Sequence, residues 1–489
     1  MPQQPWQGIK AMLQTISLFA PQLVLAFFAS QLLSTGAFAK KDISIGVRYF
    51  AVGVLVLYAL IGFILGQPTG SAFKGALIVD SYSHYMNFFL GMSAAAALMF
   101  SKSFFQTEKL DRFEFSVLVL YCTLGMSIMV SANTLLALYI GIEMQSLALY
   151  IMAAFNRDSL RASESGLKYF VLGALSSGLL LYGASLIYGF TGSLEFARIA
   201  DVIATNGATP GIIAGMVFLL CGLAFKISAA PFHMWTPDVY EGSPTPVTGF
   251  FAAAPKFAAM ALIARLLVGP FGDITTQWQQ VIIVLAVMSM FVGAIGALTQ
   301  TNIKRLMAYS SIANMGYALV ALSAGTQAGV KGMLIFMSIY TITVIGIFAC
   351  ILQMRIRNGM VEQISDLAGL SKSNRGLAII LTIFMFSVMG IPPLLGFFGK
   401  FFAFVPAMDA GLTWLVVLAL VASVIGAFYY LRLVKIMWGD ENENEFVQAP
   451  KTLRGLAVIS ALLVFPLLLL PMVSIPAQSL ISQAAASLF

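Results

Sequence analysis

Apolar runs of about 20 residues recur along the whole chain, and short polar gaps separate them. A helix of that length matches the hydrocarbon thickness of a bilayer. We therefore expect an all-α polytopic membrane protein. The pattern predicts fourteen membrane-spanning helices, called spans 1–14, near 15–38, 46–66, 82–101, 114–131, 133–156, 165–190, 210–230, 245–268, 277–299, 305–325, 328–354, 376–407, 411–434 and 454–476.

Prolines interrupt the apolar pattern in two of these spans. Pro231 closes span 7, and Pro392 and Pro393 lie inside span 12. Proline has no backbone N–H, and its ring clashes with the preceding helical turn. We therefore expect spans 7 and 12 to be broken helices.

Short similarities between the two halves of the chain suggest an internal repeat. The segment SGLKYF around Lys168 resembles AGVKGM around Lys331, and the separation of these lysines nearly equals that of Pro231 and Pro393. This shared separation predicts that spans 4–8 and 9–13 are copies of one five-span unit. Because five is odd, the second copy is inverted, as in many secondary transporters. The predicted domains are 1–113 for spans 1–3, 114–270 and 271–437 for the two repeats, and 438–489 for span 14.

The basic residues are distributed unevenly between the two sets of gaps. With gaps assigned alternately, eighteen of the 27 Lys and Arg residues fall on one side, five on the other and four inside spans. The positive-inside rule then places both termini on the periplasmic side. The net charge of +7 is scattered over these short gaps, which argues against nucleic-acid binding. With 10% charged residues and a mean hydropathy of +0.91, the chain is not a soluble domain.

Charged residues nevertheless lie within the apolar runs: Glu143, Lys168, Lys226, Lys256 and Lys400. A charged side chain at the bilayer centre costs about 2.5–3.5 kcal/mol even on the insertion scale. These side chains should therefore face a polar or water-filled interior, which is an arrangement that moves protons or ions. Two structural alternatives stay open. A lysine can extend its stem to the interface, above all Lys168 near the start of its span, and Glu143 can be buried against a single structural partner.

Two further polar residues are weaker candidates for a proton path. His233 follows the break at Pro231, where a structural, aromatic-like role is an equal alternative. Asn314 lies in span 10, where it could hold water between Lys256 and Lys400 or bond a neighbouring helix. The three cysteines are far apart, and the sequence contains no nucleotide-, flavin- or metal-binding motif. Energy must therefore come from an ion gradient or from partner subunits.

Three motifs carry a family resemblance that covers nearly the whole chain. They are GLAFKISAAPFHMWTPDVYEGSPTPVTGFFAAAPK across spans 7 and 8, TNIKRLMAYSSIANMGY into span 10 and MGIPPLLGFFGKF in span 12. Together with the glutamate of span 5, they resemble the antiporter-like membrane subunits of respiratory complex I (NADH:quinone oxidoreductase), a family related to the Mrp antiporters. The segment PFHMWTPDVYEGSPTPV and the lysine of span 12 resemble the N-type branch of that family.

The resemblance implies roles for individual residues. Asn314 departs from the family pattern, because relatives often carry a histidine there, which leaves a water-bridged path at this position. By the resemblance, Lys226 is the lysine of span 7 and Glu143 is its carboxylate partner. Lys256 is the central lysine, and Lys400 is the terminal lysine of the second half. Lys168 matches a lysine of span 6.

The resemblance also implies a multisubunit setting in a bacterial inner membrane. The expected activity is proton translocation through half-channels joined by the central lysines, driven by quinone reduction in partner subunits, with no redox chemistry in this chain. No cofactor is expected here, whereas FMN, iron–sulfur clusters and quinone are expected in the partners. The expected neighbours are M-type and small K-type membrane subunits and lipid. Two alternatives remain: a subunit of a multisubunit cation/proton antiporter or membrane-bound hydrogenase, and a scaffold that has lost pumping.

Overall fold

The structure is a computed structural model that describes residues 15–489 apart from 67, 357–358, 441–445, 448 and 466–470, and apart from the side chains of 63 and 471–476. Helices dominate the described residues, and two short antiparallel hairpins accompany them. The strands are β1 (Gly70–Ala72) with β2 (Leu77–Val79), and β3 (Arg355–Ile356) with β4 (Gly359–Met360). The α-helices are α1 (Ala20–Phe38), α2 (Ser44–Ile64), α3 (Ser81–Thr107), α4 (Phe113–Val130), α5 (Leu135–Ala153), α6 (Leu160–Thr191), α7 (Phe196–Asn206), α8 (Pro210–Ile227), α9 (Trp235–Gly242), α10 (Thr245–Ala252), α11 (Ala254–Val268), α12 (Thr275–Leu298), α13 (Ile303–Leu322), α14 (Gln327–Ile351), α15 (Leu370–Ser373), α16 (Arg375–Met389), α17 (Leu395–Asp409), α18 (Thr413–Gly439), α19 (Lys451–Val464) and α20 (Pro471–Ala486).

Eleven helical segments of the described chain are long and apolar enough to cross a membrane. They correspond to spans 1–9, 11 and 13, with α10 and α11 together forming span 8. The helix of span 10, α13, is less apolar because Ser310, Ser311 and Asn314 lie in its middle. Span 12 is divided into α16 and α17, and span 14 runs into residues outside the described part. The all-α membrane architecture is thus confirmed, while the count of fourteen stays a prediction.

Both predicted helix breaks are present. α8 ends directly before Ser228, which adopts a left-handed backbone (φ 63°), and α16 ends directly before Gly390, which does the same (φ 93°). Span 8 is also interrupted, between α10 and α11. The chain leaves helical geometry at Ala253 (φ −106°, ψ −94°), because Pro255 has no N–H to carry the helical hydrogen bonds through.

The same backbone contact occurs once in each half of the chain. Thr134 and Glu195 form an antiparallel bridge at the start of α5, and Asn302 and Gln363 form the matching bridge at the start of α13. In both places the first residue also caps its helix with its side chain. The step from Thr134 to Asn302 equals the step from Glu195 to Gln363, and we call it the bridge offset. It is slightly longer than the separation read from the sequence.

Close helix contacts repeat at the bridge offset. Gly125 of α4 lies against the backbone nitrogen of Gln145 in α5, and Gly293 of α12 lies against the backbone nitrogen of Ala313 in α13. A Cβ at either glycine would collide with the facing helix, so glycine is what permits these close approaches.

The two lysines that suggested the repeat are not equivalent in the structure. Lys168 lies in the third turn of α6, whereas Lys331 lies in the second turn of α14. The bridges and the glycine contacts therefore mark the correspondence between the halves better than these lysines do.

Two ion pairs connect chain segments that the alternating assignment of spans places on the same side of the membrane. Arg355 pairs with Glu108 at 2.8 Å and so links the gaps after spans 11 and 3. On the opposite side, Arg265 at the end of span 8 pairs with Asp80 before span 3, also at 2.8 Å. These pairs are consistent with the predicted alternation of the helices they connect.

Candidate functional site

The lysines of spans 7, 8 and 12 are all inside the helical bundle. Lys226 is 6% exposed, Lys256 1% and Lys400 9%. None of the three points into the surrounding lipid phase, and each ammonium group has a hydroxyl partner. We call these three residues the lysine row.

Lys226 lies in the last turn of α8, immediately before the break. Its Nζ donates to Ser146 Oγ at 2.8 Å and to Tyr150 Oη at 3.5 Å, both on α5. The rings of Tyr150 and Phe225 lie 5.8 and 5.7 Å from Nζ, so the cation also faces aromatic surfaces. The carbonyl of Phe225, close to the break, accepts a hydrogen bond from the indole of Trp235 at 3.1 Å rather than from the lysine.

Glu143 lies three residues before Ser146 on α5, so both side chains occupy one face of that helix. Its carboxylate accepts a short hydrogen bond from Ser177 Oγ of α6. Glu143 and Lys226 form no direct ion pair in the described chain. Ser146, one turn along α5 from Glu143, holds the ammonium, and the carboxylate–lysine partnership stays a prediction.

Lys256 lies in the first turn of α11, just after the break at Ala253. Its Nζ donates to Ser311 Oγ of α13 at 2.5 Å. The same oxygen accepts a hydrogen bond from Tyr340 Oη of α14 at 2.8 Å. The ring of Tyr240 lies 5.3 Å from Nζ on another side. Lys256 thus joins α11 to α9, α13 and α14.

Lys400 lies in α17, after the second predicted break. Its Nζ donates to the Met389 carbonyl at 2.9 Å and to Ser423 Oγ of α18 at 2.8 Å, and it lies 4.8 Å from the centre of the Tyr317 ring. The Met389 carbonyl belongs to the interrupted end of α16, where the helix no longer supplies all its donors. Here a break does present a carbonyl to a lysine.

A small cavity of about 20 Å³ lies beside Lys400. That volume accommodates roughly one water molecule. Ser387 Oγ is buried and has no hydrogen-bond partner within the described chain. The cavity is lined by Asn314, Phe336, Ile339, Tyr340, Thr343, Ser387, Val388, Gly396 and Lys400.

Lys168 does not join the lysine row. Its side chain is 42% exposed and pairs with Glu164 at 2.7 Å and with Asp238 at 2.8 Å. His233 lies half-buried in the turn between α8 and α9, and its Nδ1 has no hydrogen-bond partner within the described residues. Neither residue forms a hydrogen bond with a member of the lysine row within the described part of the chain.

Lys168 belongs to a set of ion pairs that we call the ion-pair network. Arg305 of α13 pairs with Asp238 at 2.7 Å and with Glu241 at 3.0 Å, both on α9. Cavities of about 250 and 170 Å³ open beside the network, and both are lined by Arg161 and Glu241. Its members are Arg161, Glu164, Lys168, Asp238, Glu241, Lys304, Arg305 and Glu362.

Carboxylates of the network outside the membrane-spanning helices are held ionised. Burial acts to raise the pKa of Glu362, but Lys304 at 2.9 Å and Arg161 at 2.7 Å outweigh it and hold that pKa below its usual value. The pKa of Asp238 is lowered in the same way, because Lys168 and Arg305 outweigh its burial. Glu362 and Asp238 therefore stay charged at neutral pH.

The hydroxyl partners of the lysine row are residues that sequence reasoning missed. Ser146, Ser311, Tyr340 and Ser423 are uncharged, so their presence in an apolar run carries little cost and gives no signal. The internal repeat offered one signal for Ser311. This serine lies one bridge offset after Glu143 and so occupies the corresponding position in the second half. Among the described residues, no group of three His, Cys, Asp or Glu side chains could hold a metal ion.

Broken membrane helices that bury a row of lysines define the class of antiporter-like membrane proteins. The chain belongs to the NADH:quinone oxidoreductase/Mrp antiporter transmembrane family, whose model matches residues 132–426. It is 56% identical to NADH-quinone oxidoreductase subunit N of Maricaulis maris, over 91% of this chain and 93% of that protein. It is 49% identical to subunit N 1 of Rhizobium meliloti, over 93% and 95%.

Solved structures share the fold. A chain of respiratory complex I from Thermus thermophilus with bound aureothin aligns with a TM-score of 0.81 at 34% identity, over 94% of this chain and 99% of that one. A chain of the Mrp complex from Dietzia sp. DQ12-45-1b aligns with a TM-score of 0.85, over 97% and 98%. Its identity of 19% shows the fold alone.

Proposed function

We propose that this chain is the N-type, proton-translocating membrane subunit of an NADH:quinone oxidoreductase, and that Glu143, Lys226, Lys256 and Lys400 are its proton sites. The observation that carries the proposal is the burial of three lysines inside apolar helices, each with a hydroxyl partner. A charge placed there costs several kcal/mol, and such groups mark ion pathways. Long, highly similar subunit N relatives support the assignment.

Glu143 and Lys226 form the first part of the proposed path. A buried ammonium group depends on nearby negative charge, because the apolar interior solvates it poorly. A change of charge at Glu143 therefore changes how readily Lys226 holds a proton. Quinone reduction in partner subunits would drive such changes, and this chain would carry out no redox chemistry itself.

The setting follows from the same proposal. The chain would lie in a bacterial inner membrane with both termini on the periplasmic side, in a hetero-oligomer with M-type and K-type membrane subunits and lipid. FMN, iron–sulfur clusters and quinone would be held by partner subunits. Lys168, His233 and Asn314 are secondary candidates, of which Asn314 alone lines a cavity beside the lysine row.

A subunit of a cation/proton antiporter is the alternative that the Mrp-like fold allows. Subunit N sequences match at 56% and 49% identity, against 19% for the Mrp chain, and so favour the oxidoreductase.

The proposal is tested with Lys226→Met and Lys400→Met in the assembled complex. Methionine keeps much of the lysine stem but removes the protonatable nitrogen. In inverted membrane vesicles, NADH-driven proton uptake, normalised to assembled complex, should fall well below that of wild type. Lys74→Met, at an exposed hairpin tip, is the control. Uptake equal to that of the control would remove the two lysines from the path.

A further inference from the structure

The hydrogen bonds of Lys256 continue beyond its first partner. Lys256 Nζ and Ser311 Oγ are 2.5 Å apart, and Ser311 Oγ and Tyr340 Oη are 2.8 Å apart. All three residues are buried, with exposures of 1%, 1% and 5%. An ammonium group and two hydroxyls therefore form an unbroken chain across α11, α13 and α14.

Tyr340 also belongs to the next site along the row. It lines the 20 Å³ cavity together with Lys400, Asn314 and Ser387. A water molecule needs two to four polar partners to occupy a buried cavity. Lys400 and Asn314 are polar residues of the lining, Ser387 lines it with an Oγ that has no partner within the described residues, and the volume suits roughly one water. Tyr340 is the residue shared by the Lys256 hydrogen bonds and this cavity.

We propose that Ser311 and Tyr340, with one water in this cavity, pass a proton between Lys400 and Lys256. The proposal rests on the proposed function above and names the connecting groups of the same path. It makes Ser311 and Tyr340 catalytic residues, because both exchange the transferred proton.

The transfer balances as a concerted shift of hydrogens. The Lys400 ammonium gives a proton to the cavity water, and the water gives one of its own to Tyr340 Oη. Tyr340 gives its phenolic hydrogen to Ser311 Oγ, and Ser311 gives its hydroxyl hydrogen to the neutral Lys256 amine. Lys400 ends neutral, Lys256 ends charged, and water, Tyr340 and Ser311 keep their composition. The reverse shift runs back along the same hydrogen bonds, whereas a second transfer in the same direction requires the hydroxyls and the water to rotate first.

Hydroxyl groups suit this place because each is both donor and acceptor. A relay of neutral groups creates no additional buried charge, which would be costly away from water. The position of Ser311 is also not arbitrary. It stands at the bridge offset from Glu143, the same offset that relates the two bridges and the two glycine contacts.

The decisive experiment compares side chains of equal shape in the assembled complex. Ser311→Thr keeps a hydroxyl, whereas Ser311→Val has the same size without one. Tyr340→Phe removes the second hydroxyl and keeps the ring. Its control is Tyr85→Phe. This substitution removes a hydroxyl that lies 2.6 Å from Ser338 Oγ, and Ser338 is on α14, the helix that carries Tyr340. The measurement is protons translocated per NADH oxidised in proteoliposomes.

We expect Ser311→Thr and Tyr85→Phe to translocate nearly as wild type. Ser311→Val and Tyr340→Phe should lose more than about half of the translocation, because a positioned proton-transfer group contributes about 10²–10⁴-fold to a rate. Equal translocation by Ser311→Thr and Ser311→Val, or by Tyr340→Phe and Tyr85→Phe, would overturn the relay. If both Ser311 variants fail to assemble, the tyrosine pair decides alone. Full translocation by Lys256→Met would instead refute the proposed function. If Lys256→Met loses translocation while Ser311→Val and Tyr340→Phe keep it, only the relay is refuted.

Discussion

At the scale of the residue, each member of the lysine row is held by a serine rather than by a carboxylate. Ser146, Ser311 and Ser423 contact Lys226, Lys256 and Lys400 at 2.8, 2.5 and 2.8 Å, in that order. A hydroxyl accepts from an ammonium group and donates to a neutral amine. Each lysine can therefore change its protonation state without losing its hydrogen bond.

Glu143 supplies negative charge near Lys226, at one end of the lysine row. Its role is tested by Glu143→Gln. Glutamine keeps the shape and can still accept from Ser177, but it removes the charge that favours an ammonium at Lys226. Proton translocation per assembled complex should therefore fall strongly, while assembly is kept. Glu143→Asp should be milder, because the charge survives on a shorter stem. Equal pumping by the glutamine variant and wild type would make Glu143 a structural residue.

The sequence located the charged residues of the site and not their partners. A lysine or glutamate within an apolar run is costly and therefore conspicuous, as Glu143, Lys226, Lys256 and Lys400 are. A serine in such a run has no comparable cost. Lys168 was conspicuous for the same reason, but the structure shows it half-exposed among carboxylates. Hydropathy alone could not separate an interfacial lysine from a central one.

At the scale of the element, α9 connects the lysine row to the ion-pair network. The indole of Trp235 donates to the Phe225 carbonyl beside Lys226, and the ring of Tyr240 faces Lys256 at 5.3 Å. On its other side, Asp238 and Glu241 pair with Arg305. These contacts fix a helix of eight residues between Lys226 and Lys256.

We expect Asp238→Asn to alter proton translocation more than stability. The substitution removes the charge that pairs with Arg305 at 2.7 Å and Lys168 at 2.8 Å, and partly exposed pairs contribute only about 0–1 kcal/mol each. The melting temperature of the complex should change little, whereas translocation should slow because α9 no longer holds Tyr240 firmly. Glu164→Gln is the control, since Glu164 pairs with Lys168 and does not contact Arg305. Wild-type translocation by Asp238→Asn would show that α9 needs no such anchor.

Helix breaks were predictable only where the pattern itself was interrupted. Pro231 closes the apolar run of span 7, Pro393 interrupts that of span 12, and these two prolines gave both predicted breaks. Pro255 lies within an uninterrupted run, and a proline near the start of a helix is well tolerated. Deciding that α11 starts there requires the backbone geometry at Ala253.

At the scale of the whole molecule, the bridge offset supports the proposed inverted repeat. The bridge at Thr134 and Glu195 and the bridge at Asn302 and Gln363 begin α5 and α13. Five predicted spans, an odd number, separate those helix starts. Equivalent contacts should therefore lie on opposite sides of the membrane, as inverted units require.

Labelling from one side of the membrane tests this arrangement. Glu195→Cys and Gln363→Cys place thiols at equivalent, exposed positions of the two bridges. A membrane-impermeant thiol reagent should label Glu195→Cys in right-side-out vesicles and Gln363→Cys in inverted vesicles, with wild type as the control for the native cysteines. Labelling of both from the same side would rule out inverted repeats.

The most direct test of the central claim is the number of protons translocated per NADH oxidised by the complex carrying Lys256→Met. Lys256 is the least exposed member of the row, and its hydrogen bonds lead through Ser311 to Tyr340, which lines the cavity beside Lys400. The account predicts an assembled complex whose proton-to-NADH ratio falls clearly below that of wild type and of Lys74→Met. A ratio equal to that of wild type would contradict the claim that the lysine row carries protons.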